Sequence, residues 1–98
     1  MAFKDTYDFD LLENEAEKLV IDELERQLAV VDEGICKCNE CVVDMAAIAL
    51  NGVKPMYRFS LLGSLYAAQA VSEKAYAQSL IKAVAEAISR VRKNPSHD

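Results

Sequence analysis

Apolar residues return at steps of three and four along Ala16, Val20, Leu24, Leu28 and Val31, with acids, Lys18 and Arg26 between them. That period puts them on one face of a helix. Asn14 followed by Glu17 has capping-box spacing, so the helix is expected from Asn14 to about Val31, with Asp32, Glu33 and Gly34 stopping it. From about Asn39 to Leu50 the pattern is apolar almost all round, broken by Glu40 and Asp44. Such a helix is expected at the centre of the core, enclosed by other elements. Asn51-Gly52 ends it, since both residues tolerate a left-handed C-cap, and Pro55 pushes Lys54 toward extended backbone. Tyr57 and Phe59 then alternate with Arg58 and Ser60, and we read residues 56–62 as a short extended or β strip closed by Gly63. A long helix follows to about Lys93, starting near Ser64 or at Ser72-Glu73 and ended by Asn94-Pro95. Its stripe is Ala77, Leu80, Ile81, Val84, Ile88 and Val91, and alanines at 75, 83, 85 and 87 permit close helix approach.

The expected fold is therefore mainly all-α, a small helical domain with a long C-terminal helix. Residues 1–98 form one domain, in which 1–12 is an arm anchored by Phe3, Tyr7 and Phe9 and 94–98 is a tail. A composition 52% hydrophobic and 28% charged fits a folded chain rather than a linker. Two amphipathic neighbours can hardly cover the middle helix on every side, so a homodimer that packs the long helices together is expected.

The net charge of −5 is unevenly distributed. Residues 1–33 carry eleven acids against three bases, whereas residues 34–98 carry five acids against eight bases. No concentrated cationic face for duplex DNA is expected from a chain with pI near 4.8, and Arg90, Arg92 and Lys93 read as a solvated helix end favoured by the macrodipole. The first ten residues lack the apolar core of a secretory signal, and the purest apolar run, Met45 to Leu50, is far too short to span a bilayer. A cytoplasmic protein without membrane contact is expected.

The chemistry concentrates in Cys36, Cys38 and Cys41, a C-x-C-x-x-C group at the mouth of the middle helix. In a reducing compartment an odd, tight cysteine cluster points to a metal or to thiol chemistry before disulfides. Zinc takes four ligands, three of which the cysteines supply; His97, the single histidine, and Asp44, one helical turn after Cys41, are the local alternatives for the fourth. A redox pair at Cys38 and Cys41 and inert buried thiols are the competing readings. No Walker loop, dinucleotide fingerprint, H-E-x-x-H or Ser/His/Asp set is written in the chain, so no enzyme is expected.

The run from Cys36 through Asp44, Ala49-Leu50-Asn51, Pro55 and Tyr57 resembles the late-competence ComFB family. A helix like LVIDELERQL before it, Gly63 after it and a terminal V-x-x-N-P extend the resemblance over about residues 14–96. It implies a small, mainly helical bacterial protein that dimerises, binds zinc through Cys36, Cys38 and Cys41 and serves late competence as a regulator or adaptor. Some relatives supply a fourth cysteine near the C-terminus; here that place falls to His97. Related cyanobacterial proteins resemble cyclic di-nucleotide receptors, which carry Arg and two prolines where this chain has Gly52-Val53-Lys54-Pro55. The loop still offers Lys54 and Arg58 for phosphates, Tyr57 for stacking on a purine, and Asn51 or Asp44 for base edges, so cyclic di-GMP or cyclic di-AMP is the implied ligand. The competing readings are a core position for Tyr57 with Arg58 paired to an acid of the first helix, and a protein-interaction module with an unknown protein partner.

Overall fold

The computed structural model describes residues 2–31, 34–58 and 74–95, with Arg58 described in its backbone alone. Two short turns open the chain, α1 (Phe3–Thr6) and a 3-10 turn (Phe9–Leu11). They lead through the two-residue strand β1 (Glu13–Asn14) into α2 (Glu15–Val30). Then come α3 (Asn39–Asn51), strand β2 (Tyr57–Arg58) and α4 (Lys74–Lys93). The mainly helical class expected from the pattern is the class observed. No described helix is long and apolar enough to cross a membrane.

Helix α2 starts as its sequence directs. The Asn14 side chain accepts from the Ala16 backbone N–H at 3.2 Å, satisfying one of the donors a helix start leaves open. Ala16, Val20, Leu24 and Leu28 are buried at intervals of four, and Val31 is half-buried beyond them. The chain then turns at Gly34, whose φ of +102° is a left-handed conformation that suits glycine.

Helix α3 differs from its expectation. It buries a single line, Cys41, Met45 and Ala49, and leaves Val43 57% exposed. Its apolar residues thus face more than its two described helical neighbours cover. Its end falls at Asn51 as the Asn-Gly pair implies, yet for another reason: Gly52 sits at φ −100°, in the right-handed region, and closes the helix by donating to Ala49 O at 2.9 Å.

Helix α4 packs on both. Its buried residues are Tyr76, Leu80, Ala83, Val84, Ala87, Ile88 and Val91. The stripe is rotated from the expected one, since Ala77 is exposed, Ile81 is 43% exposed and Tyr76 takes the inward place. Of the four alanines thought to permit close approach, Ala83 and Ala87 lie in the core, while Ala75 and Ala85 are exposed. Asn94 closes the helix by donating to the Arg90 and Val91 carbonyls, both at 3.1 Å. The two proposed starts, at Ser64 and at Ser72-Glu73, and residues 59–63 of the strip lie outside the described residues.

The strip is confirmed where it is described. β2 pairs antiparallel with β1, Glu13 opposite Arg58 and Asn14 opposite Tyr57. Asn14 again supplies the chemistry, because its Oδ1 also accepts from Met56 N at 2.7 Å while Glu15 N donates to Met56 O at 2.7 Å. One asparagine thus caps α2 and holds the segment that follows α3. In the arm, Phe3, Tyr7 and Phe9 are at least half exposed and pack on each other at centroid distances of 4.9 to 6.4 Å. They anchor one another and are not part of the core.

Candidate metal centre

Cys36, Cys38 and Cys41 are brought together by a turn built at both ends. Cys38 is the N-cap of α3, in extended backbone, and its Sγ accepts from the Cys41 backbone N–H at 3.4 Å. Its carbonyl accepts from Val42 N at 3.0 Å, starting the helix ladder. Cys41, three residues on, falls on the inward line of α3 and is fully buried. Cys36 is half-buried and Cys38 exposed, so the group runs from the core to the surface. Their three sulfur atoms lie within 4.8 Å of one another.

That spacing suits a soft divalent ion. Zinc–thiolate bonds of about 2.3 Å in a tetrahedron place sulfurs roughly 3.8 Å apart, so the thiols need only draw in by about 1 Å. Among the described residues no other group of histidine, cysteine or carboxylate ligand atoms meets this condition, and Asp44 is not part of the set. His97 lies outside the described residues. The three cysteines can hold a metal ion.

Of the expected ligand residues, Asp44 and Asn51 line neighbouring clefts, and the side chain of Arg58 lies outside what is described. Asp44 is half-buried in a cleft with Ile48, Arg90, Val91, Lys93 and Asn94. Asn51 lines the neighbouring cleft of about 460 Å³, with Ser79, Lys82, Glu86 and Arg90, and its Nδ2 donates back to Ala47 O at 3.1 Å. Lys54 and Tyr57 follow on the loop and are exposed, Tyr57 to 59%. Tyr57 therefore does not occupy the core. The loop is held from beneath by Tyr76, whose hydroxyl donates to Lys54 O at 3.0 Å and whose burial raises its pKa above the ordinary 10.0.

Three contributors were not visible in the pattern. Tyr76 was hidden because only its ring-edge hydroxyl, and not its apolar period, reveals the contact with Lys54. Lys37, between two of the cysteines, donates through Nζ to Leu28 O at 3.0 Å, tying the turn to the end of α2. Arg90 lies between the two clefts that hold Asp44 and Asn51. A third groove, of about 730 Å³, runs between α2 and α3 and is lined chiefly by apolar residues such as Ile21, Leu24, Val43 and Ala46.

Comparison with known proteins follows the same lines. The family described as "Late competence development protein ComFB" matches residues 13–95. No curated protein matches the chain. Among solved structures, the chain is similar to the late competence protein ComFB from Bacillus subtilis, with 26% identity and a TM-score of 0.67, over 87% of this chain and 94% of that one.

Proposed function

The chain belongs to the late competence development protein ComFB family, and from that premise we propose that it is a non-enzymatic regulatory or adaptor protein of late competence whose C-x-C-x-x-C turn holds zinc. The observation that carries the metal reading is the gathering of three thiols within 4.8 Å at the start of α3. Zinc supplies structural cross-linking there. Cys36, Cys38 and Cys41 take three positions, and His97 the fourth. Support for His97 comes from the end of α4, since Lys93 and Asn94 border the same cleft as Asp44, one turn beyond Cys41.

Metal analysis of protein purified without a histidine tag tests this reading. One equivalent per chain is expected, and less than half an equivalent overturns it.

The same reading includes a homodimer. The exposed apolar residues Ile21 and Val43 on the α2–α3 groove support a contact there, because a surface of this kind is more often covered by a partner than left in water. Sedimentation as a monomer at micromolar concentration contradicts it. A cyclic di-nucleotide ligand is favoured by one observation, the exposure of Tyr57 beside Lys54 on a loop fixed by Asn14 and Tyr76. Cyclic di-GMP or cyclic di-AMP at a hundred times Kd adds about 2.7 kcal/mol of stability, visible as a raised melting temperature. If neither shifts it, the function rests on protein contacts alone.

A further inference from the structure

The C-x-C half of the cluster contains one residue that is not a ligand. Lys37 stands between two of the thiols in sequence, and its side chain ends on another element, α2. The Lys37 ammonium donates to Leu28 O at 3.0 Å, in a part-buried contact. Leu28 is among the last residues of α2, whose final carbonyls have no partner within the helix and carry the negative end of its dipole. A lysine is the side chain for this place: it is long enough to cross and always able to donate. Lys37 also lines the apolar groove between α2 and α3, next to Leu28, Ala29 and Val42. The turn is thus fixed at one end by the Cys38 cap on α3 and near the other by Lys37 on α2.

We propose that Lys37 is the positioning residue of the metal-binding turn: it holds Cys36 and Cys38 in register with buried Cys41 by anchoring the turn to the C-terminal end of α2. The proposal rests on the zinc reading of the three thiols and adds a residue to it. It makes the last turn of α2 and the rim of the α2–α3 groove respond to metal occupancy, because the residue that touches them lies between two ligands.

Cobalt(II) titration, followed by the thiolate-to-metal charge-transfer band, tests it on the wild type, Lys37→Met and Lys37→Arg, with far-UV circular dichroism to confirm the fold. Lys37→Met keeps most of the unbranched apolar stem and loses the donor; it is expected to bind cobalt about tenfold more weakly, the scale on which residues that orient metal ligands act. Lys37→Arg, which can still donate to Leu28 O, is expected to recover most of the loss. Metal-induced protection of the amides at the end of α2 is expected in the wild type and lost in Lys37→Met. Equal cobalt affinity in wild type and Lys37→Met overturns the proposal. A wild type with no charge-transfer band overturns the zinc reading instead. The positioning role is then read from the metal-free thiols, by the rate at which phenylarsonous acid bridges them; slower bridging in Lys37→Met upholds it and equal rates overturn it.

Discussion

The turn before α3 and the loop after it are built from similar material and end in different states. Both are short segments of mixed polarity at the ends of one helix, and both are tied to neighbouring elements by side chains. The first tie is Lys37 on Leu28 O, and the others are Asn14 on Met56 N and Tyr76 on Lys54 O. At the front end, the ties converge the chemistry: three thiols share one point. At the back end, the ties hold the backbone while Lys54 and Tyr57 project outward and Asp44 and Asn51 line separate clefts. A turn spanning six residues can assemble a site from its own sequence. A site drawn from a helix and the loop beyond it needs a partner surface or a ligand to close it.

The largest break in this comparison is expected at Cys41→Ala. It removes a ligand and a fully buried side chain together. The core truncation costs on the order of 1 kcal/mol, and the variant forfeits about 2.7 kcal/mol of metal-linked stability at metal a hundredfold above Kd. Chemical denaturation with and without chelator checks this: chelator should lower wild-type stability and leave Cys41→Ala unchanged.

Next in size is Asn14→Ala, which strikes the opposite end. It removes the α2 cap and the bond to Met56 N, a loss of about 2 kcal/mol. Hydrogen exchange should show the Met56 amide losing protection while metal binding at the cysteines is unchanged. If metal binding falls as well, the two ends are not independent.

Tyr76→Phe is expected to cost about 1 kcal/mol by deleting one part-buried bond. Its pH dependence has a definite sign. Burial raises the phenol's folded value above 10.0, so its contribution is full below the unfolded value and is lost as pH rises past about 10. The difference between wild type and Tyr76→Phe should therefore shrink in alkaline solution.

Glu23→Gln is the smallest, at about 0.5 kcal/mol. Glu23 accepts from Arg26 Nε and Nη2 and from Gln27 Nε2, and Gln27 also reaches Ile81 O across to α4. The Arg26 hydrogen bonds, against the opposing effect of burial and helped by Gln27 and by the Arg26 charge, hold the Glu23 carboxyl below its ordinary 4.5. A lowered folded value gives stability that is present above the unfolded value and lost as pH falls through the folded one. The substitution should matter at pH 7, and its effect should fade in acid as pH falls below 4.5 and through the lowered folded value.

What the sequence made readable follows from range. The inward line of α2, the Asn14 cap, the end of α3 at Asn51 and the closing of α4 at Asn94 are decided within a few residues, and they were found where the pattern put them. The cysteine group is local in the same sense. The exposure of Val43, the inward turn of Tyr76 in place of Ala77 and the mutual packing of Phe3, Tyr7 and Phe9 depend on where distant helices lie, and periodicity carries no such information. Lys37 lies between these cases. Its place between two cysteines was visible, while its partner Leu28 O became visible only once α2 and the turn were set side by side.

Zinc K-edge X-ray absorption on the purified protein tests the central claim most directly, because it counts the sulfurs on the metal. Three sulfur ligands at about 2.3 Å with one nitrogen are expected for Cys36, Cys38, Cys41 and His97. A shell of nitrogen and oxygen without sulfur contradicts the account.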